Sequence, residues 1–264
     1  MMKIYTDKKA HAKGDTFREL LDMWIESGYC TIENSNDRFC WVDGVHEILL
    51  YEYARFDFVP KWWEYGLFSN MQMNGSTCSP WIFWGRHPRK LESSIQEGIL
   101  SFKERGTKSI FLGKIENQIQ FENRMKYDWK DGLEEFNMPV AMGNVHEYRY
   151  TQEEYLNKIK RSKFGLVLPG YGPKCNREIE YLGLGTVPIF TEGCGLDYYD
   201  PLIEGVHYLT ADNPTHFKEI VDSVTADQWK ELSNNGRDWY EKNCSRKGSF
   251  ETTKKIIEVF KDGR

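Results

Sequence analysis

Residues 164–189 have the types and spacing that best fit a chemical role in this sequence. They comprise an apolar strand, a loop with Gly170 and Gly172, a helix that opens at Pro173, and a second apolar strand. Glycine lets a ligand approach the backbone closely, and the free amides and positive dipole at a helix start bind anions. We therefore predict that a diphosphate binds where this helix begins. The amides concerned are those of Lys174, Cys175 and Asn176.

Glu178 lies one helical turn after Lys174, so the two side chains share one face of the predicted helix. This spacing lets Glu178 reach a ribose beside the phosphates. A simpler interpretation is that the glycines only turn the chain, while Lys174 and Glu178 form an ordinary helix salt bridge. The flanking strands favour the phosphate site, because a strand–helix–strand unit implies a parallel sheet with ligands at the carboxyl ends of its strands.

The same segment resembles the nucleotide-sugar-binding half of GT-B glycosyltransferases, especially the exostosin-like group and compact relatives encoded by large DNA viruses. The resemblance rests on a strand, a Gly-Tyr-Gly-Pro loop, an Arg-Glu helix and the run Leu-Gly-Thr-Val-Pro-Ile, and it extends to about Tyr208. The motif implies that Tyr171 and Arg177 also contact the nucleotide-sugar donor.

A second cluster, residues 111–118, contains Gly113 and Lys114, and Arg124 follows further along the chain. A Walker loop would require glycine where this sequence has Lys108, so the cluster is not a P-loop and an ATPase is excluded. In GT-B enzymes the first strand, loop and helix of the donor domain carry basic side chains that neutralise the leaving diphosphate. The resemblance implies this role for Lys114 and Arg124. The alternative is a solvated charged helix.

A third cluster comes at the end of the apolar run 81–84 and has four basic or potentially basic side chains. Arg86 and His87 are the best functional candidates, because Pro88 fixes the chain directly after them. At the end of a strand they would contact a donor phosphate or the acceptor. A solvated junction between two domains is an equal alternative.

An inverting transfer needs a carboxylate that deprotonates the acceptor hydroxyl, and this group must come from the N-terminal half. An apolar strand ends at Glu52, and viral relatives resemble this stretch with a strand-ending acidic residue after Leu-Tyr. We predict Glu52 as the catalytic base, Asp57 as the second candidate, and Asp15, a predicted helix cap, as the third. The alternative is that Glu52 only pairs with Arg55 or Arg38.

No metal site is predicted. The six histidines form no recognisable set with cysteines or carboxylates, and no two aspartates are separated by a single residue. We therefore expect a metal-independent reaction that requires no cofactor beyond the nucleotide-sugar substrate. The chain also lacks a Gly-x-Ser-x-Gly elbow and a glycine-rich dinucleotide turn after its first strand.

Composition narrows the possible partners and the compartment. The 264 residues carry a formal charge of -5, which provides no cationic field for nucleic acid. Mean hydropathy is -0.65, and no apolar run approaches the roughly 18 residues of a membrane span. The start of the chain has no secretory signal, and the six cysteines are scattered. These features predict a cytoplasmic protein with reduced thiols, in the host cytoplasm if the protein is viral.

Hydrophobic periodicity predicts alternating strands and helices in two domains. The predicted strands are 3–6, 29–32, 39–42, 47–53, 81–84, 109–112, 164–168 and 186–190. The predicted helices are 16–26, 91–105, 117–127, 174–184, 214–224, 226–242 and 249–261. We place the boundary near Gly106, which gives an acceptor-side domain at 1–106 and a donor-binding domain at 107–264, with the last helix as a candidate to pack back on the first domain.

Together these features predict an α/β, GT-B-like fold with two Rossmann-like domains that face a central cleft. The predicted function is an inverting, metal-independent hexosyl- or pentosyltransferase, which moves a sugar from a nucleoside-diphosphate sugar to a hydroxyl of a glycan. UDP is the default base, and UDP-xylose is a candidate donor from the viral resemblance. The alternatives are a noncatalytic sugar- or nucleotide-binding module and another nucleotide-dependent α/β transferase, such as a methyltransferase.

Overall fold

The computed structural model describes the backbone of residues 2–6, 16–34, 40–42, 47–51, 67–68, 79–80, 82–142, 149–170 and 172–262. Side chains are described for residues 19–31, 82–142, 149–170 and 172–256. The chain divides into two compact units. The first unit comprises Met1–Arg89, Asp197–Pro201 and Glu241–Arg264, and the second comprises Lys90–Leu196 and Leu202–Tyr240. Gly106, the predicted boundary, lies within the second unit.

The first unit has a mixed six-stranded sheet with the order β2-β1-β3-β4-β5-β6. Its strands are β1 (Met2–Thr6), β2 (Cys30–Asn34), β3 (Cys40–Val42), β4 (Glu47–Tyr51), β5 (Leu67–Phe68) and β6 (Ser79–Pro80). Strand β3 runs antiparallel to both β1 and β4, and the other neighbouring pairs are parallel. The strand predicted at 81–84 is wrong, because residues 82–85 form no strand and the pairing occurs at β6.

Two helices of the first unit pack on each other, although they lie at opposite ends of the chain. Helix α1 (Thr16–Glu26) has the predicted bounds, and helix α8 (Arg246–Asp262) contains the predicted last helix. The indole Nε1 of Trp24 donates to Ser249 Oγ at 2.9 Å. The Trp24 ring meets Phe250 edge-on at 5.6 Å, and Tyr29 stacks on Phe250 at 5.1 Å. Aromatic packing therefore holds α8 against α1.

The second unit is built on a five-stranded parallel sheet with the order β11-β10-β9-β7-β8. Its strands are β7 (Thr107–Leu112), β8 (Glu135–Asn137), β9 (Ser162–Val167), β10 (Val187–Phe190) and β11 (Leu209–Thr210). The other α-helices among the described residues are α2 (Pro88–Gln96), α3 (Gln118–Arg124), α4 (Gln152–Lys160), α5 (Asn176–Leu184), α6 (Pro214–Ser223) and α7 (Ala226–Asn243), of which α2 and α7 each have one end in the first unit. The mixed α/β class and the strand–helix–strand unit β9–α5–β10 are confirmed.

The strand order places the topological switch point between β7 and β9. From β7 the chain moves outward to β8 on one side, and from β9 it moves outward through β10 to β11 on the other. The connections after two adjacent strands thus leave in opposite directions, which opens a crevice at their carboxyl ends where open α/β sheets bind ligands.

Close packing fixes the position of α5 on the sheet. A Cβ atom at Gly165 would lie 2.3 Å from the Tyr181 ring. Because glycine has no side chain, this ring can pack directly against the backbone of β9. Helix α5 ends at Gly185, whose φ of 71° is the left-handed conformation of a helix C-cap. The helix start is thereby fixed relative to the carboxyl end of β9.

A buried arginine fastens the amino ends of the central strands. The Arg105 guanidinium donates to Ser162 O at 2.7 Å, Thr186 Oγ1 at 2.9 Å and Leu184 O at 2.7 Å. Its carbon lies 4.8 Å from the centre of the Trp229 ring. Burial, and next the charge of a nearby arginine, lower the pKa of Arg105 to about 9.

Candidate functional site

The candidate site lies at the carboxyl ends of β7 and β9, in the second unit. Gly113 and Lys114 follow β7, whereas Gly170 follows β9 and leads to α5. Five predicted donor-binding residues lie on two loops that border the switch point: Lys114, Gly170, Gly172, Lys174 and Cys175. Three more, Asn176, Arg177 and Glu178, follow in the first turn of α5.

Helix α5 starts with a capping box. Cys175 is the N-cap residue, and the Glu178 side chain accepts a hydrogen bond from the Cys175 amide. The preceding loop closes through the Gly170 amide, which donates to Gly172 O at 3.0 Å. A Cβ atom at Gly170 would lie 2.5 Å from Cys175 Sγ, so this position has no room for a side chain.

Glu178 is completely buried, which limits what it can contact. One carboxylate oxygen caps the helix, and the other, Oε2, has no hydrogen-bond partner among the described residues. Burial raises the pKa of Glu178 to about 7, although the Cys175 amide and the charges of Arg177 and Lys174 oppose the rise. Contact with a ribose would require its carboxylate to become accessible, and that role stays a prediction.

Two buried arginines lie over one aromatic ring at the switch point. The guanidinium carbon of Arg177 lies 4.4 Å from the centre of the Phe111 ring, and that of Arg124 lies 5.8 Å from it. Arg177 Nε and Nη2 donate to Leu112 O at 3.2 and 3.0 Å. A Cβ atom at Gly113 would lie 2.7 Å from Arg177 Nη2 and 2.9 Å from the Phe111 ring, so a side chain there would displace the stacked pair.

Arg124 joins the two loops of the site. Its Nε donates to Pro169 O at 2.9 Å, and its Nη1 donates to Lys114 O. Burial, and next the positive charge of Arg177, lower the pKa of Arg124 to about 10. The side chains of Arg124 and Arg177 are only 4% and 9% exposed, so water screens their charges weakly. The carboxyl edge of the sheet thus holds two closely spaced, buried positive charges.

Two lysines add to this positive charge. Lys114 Nζ lies 2.6 Å from Glu116 Oε1, and its side chain is 16% exposed. Lys174 is buried, and its charge lowers the pKa of Glu178, which shows that the two side chains lie within electrostatic range.

Two cysteines near the site are unsuited to thiolate chemistry. Cys175 Sγ lies 3.7 Å from Leu168 O, and Cys194 Sγ lies 3.5 Å from Val167 O. Burial raises the pKa of Cys175 to about 11 and that of Cys194 to about 12. This burial disfavours the thiolate, which is the nucleophilic form of cysteine.

Arg86 and His87 belong to the first unit, where the structure gives His87 a local partner. His87 Nδ1 lies 3.3 Å from Glu19 Oε2, and the other oxygen of Glu19 accepts from the Arg89 amide at 3.0 Å. Glu19 thus holds the start of α2, and Arg86 is exposed beside it. Donor binding by Arg86 and His87 stays a prediction.

The remaining candidates lie outside the described residues. They are Glu52, Asp57, Asp15 and Tyr171. Within the described part of the chain, no group of three or more His, Cys, Asp and Glu side chains could hold a metal ion. Across the same residues, no helix combines the length and apolar character needed to span a bilayer.

The sequence did not predict the stacking of Arg177 on Phe111. The Arg-Glu helix motif did include Arg177 among the donor contacts, but no spacing pattern connects it to a strand more than sixty residues away. Comparison of the chain with family models and with curated proteins gave no match.

Proposed function

We propose that this protein is a glycosyltransferase, and that the carboxyl edge of β7 and β9 holds the diphosphate of a nucleotide sugar. The observation that carries the proposal is the pair of buried guanidiniums over Phe111. Burying two like charges side by side is unfavourable, and an anionic ligand bound against them relieves that cost. The switch point of a parallel sheet is where such folds bind nucleotides.

Each part of the site has a role in this proposal. The amides at the start of α5 hold phosphate oxygens, while Arg124 and Arg177 provide a fixed positive field behind them. Lys114 is the more exposed cation, so it contacts the diphosphate directly and stabilises the charge that grows as the glycosidic bond breaks. The donor sugar leaves its anomeric carbon open to an acceptor hydroxyl.

The acceptor side of the reaction rests on the family resemblance alone. Glu52, with Asp57 as the second candidate, deprotonates a glycan hydroxyl that attacks the anomeric carbon in one inverting, metal-independent step. The GT-B arrangement, a UDP-sugar donor with UDP-xylose as a candidate, and a cytoplasmic setting (the host cytoplasm for a viral enzyme) belong to the same proposal.

The charge of the site favours this proposal over a methyltransferase. S-adenosylmethionine carries a positive sulfonium, a single carboxylate and no phosphate, so two buried guanidiniums complement its charge less well than that of a diphosphate. A noncatalytic nucleotide-binding module uses the same site, and only a transfer assay separates it from an enzyme.

Isothermal titration with UDP-, GDP- and dTDP-sugars tests the donor site of this proposal. We expect at least one of them to bind, and we expect Arg124→Gln to weaken that binding about tenfold or more. Arg161→Gln, which removes an exposed arginine from the same unit, is the matched control and should bind like the wild-type protein. Binding of S-adenosylmethionine alone, or of a free glycan without any nucleotide, would overturn the proposal.

A further inference from the structure

Glu116 lies in the loop after β7, between two groups assigned to the donor. Its Oε1 is 2.6 Å from Lys114 Nζ, and its negative charge weakly opposes the burial that lowers the pKa of Arg124. The carboxylate is thus within electrostatic range of two cations of the candidate site. A diphosphate bound to Lys114 would therefore compete with this carboxylate.

The backbone around Glu116 is held on both sides, so the carboxylate is a built part of the loop. The Glu116 amide donates to Gln120 Oε1 at 2.6 Å. On the other side, the Ile115 amide donates to Pro139 O at 2.9 Å, and the Ala141 amide donates to Ile115 O at 2.8 Å. These hydrogen bonds hold the backbone from which the Lys114 and Glu116 side chains extend.

The two side chains differ in exposure. The Glu116 side chain is 32% exposed and the Lys114 side chain is 16% exposed. The carboxylate is thus the partner with more room to turn outward into water. An arriving phosphate can then replace the carboxylate as the partner of the ammonium group.

We propose that Glu116 is the resident counter-anion of Lys114, and that a bound diphosphate displaces it. This inference rests on the proposed function, because it assumes that the ligand is a diphosphate. Glu116 keeps the lysine positioned and paired before the ligand arrives. It also makes the site selective, since a ligand must bring enough negative charge to replace a carboxylate.

Titration of UDP into four proteins tests this proposal: wild type, Glu116→Gln, Lys114→Gln and the double variant. Glu116→Gln should tighten UDP binding roughly threefold to tenfold, because one partly screened like charge is removed. In the Lys114→Gln background the same change should give about twofold or less, because a carboxylate released from the lysine turns to solvent. Glu122→Gln, on the exposed side of α3, controls for the loss of one negative charge.

The outcomes separate this inference from the proposed function. If UDP binds the wild-type protein but Glu116→Gln weakens it or leaves it unchanged, the displacement is wrong and the donor site stands. If Glu116→Gln raises UDP affinity equally with and without Lys114→Gln, displacement of Glu116 is also wrong, because the effect would then not depend on Lys114. If neither the wild type nor Glu116→Gln binds a nucleoside diphosphate, the proposed function fails and this inference fails with it.

Discussion

Glu178→Gln should change how the stability of the second unit depends on pH. The carboxyl group is fully buried, and burial raises its pKa from the usual 4.5 to about 7. The folded chain therefore keeps this proton up to about pH 7, whereas the unfolded chain loses it near pH 4.5. Between these values the folded state binds more protons, so the free energy of unfolding falls as pH rises.

The size of the effect follows from the two pKa values. A change from 4.5 to about 7 corresponds to about 3 kcal/mol, fully present as stability below the unfolded pKa and lost once pH passes the folded pKa. Glutamine has a similar shape and does not ionise, so the variant does not lose this stability. Relative to the wild type, Glu178→Gln should gain about 2 to 3 kcal/mol between about pH 5 and about pH 8.

Hydrogen–deuterium exchange of peptides from β9 and α5 measures this difference locally. Wild type and variant are compared at the same pH, so the pH dependence of the intrinsic exchange rates cancels. Because only peptides from β9 and α5 are followed, opening of the other unit does not enter the measurement. Glu122→Gln controls for the loss of one carboxylate. If the difference between Glu178→Gln and the wild type is the same at both pH values, the carboxyl group is not desolvated as the structure indicates.

Three further predictions concern packing and chemistry. Gly165→Ala should destabilise the protein by roughly 1 to 3 kcal/mol in urea denaturation, because its Cβ would meet the Tyr181 ring; an unchanged midpoint would contradict the packing. Lys114→Ala should lower kcat more than donor affinity, whereas equal losses would indicate uniform binding. Glu52→Gln should keep donor binding while transfer falls by at least about a hundredfold. If Glu52→Gln transfers sugar at nearly the wild-type rate while Asp57→Asn is inactive, the base is Asp57.

Local patterns predicted the elements that border the site. The periodicity of α1 gave its bounds, and the strands and helix of the β9–α5–β10 unit were found to within two residues. These elements have clear apolar faces and glycine at their ends. Local sequence is sufficient for such elements because caps and burial patterns act over a few residues.

Other elements were missed or extended for identifiable reasons. Helix α4 was not predicted, although Thr151 and Glu154 form a capping box that the sequence displays. The helix predicted at 91–105 is too long, because the chain leaves the helix after Gln96 and Gly98 adopts a φ of 106°. Phe102 is apolar because its ring packs on Trp229, with the ring centres 5.5 Å apart, and not because it belongs to a helix.

The chemistry of the site depends on contacts that no local pattern contains. Arg124 binds a carbonyl 45 residues away, and Arg177 binds one 65 residues away. Both contacts arise only when the parallel sheet brings the ends of β7 and β9 together. The sequence could therefore name these arginines but could not show that they share the Phe111 ring.

A crystal structure of this protein with bound UDP would locate the donor site. We expect the diphosphate at the carboxyl ends of β7 and β9, against the first amides of α5, with Lys114 on a phosphate oxygen and Glu116 turned away from it. If UDP binds at the amino ends of the strands, near Arg105, or away from this sheet, the donor site proposed between β7 and β9 is wrong.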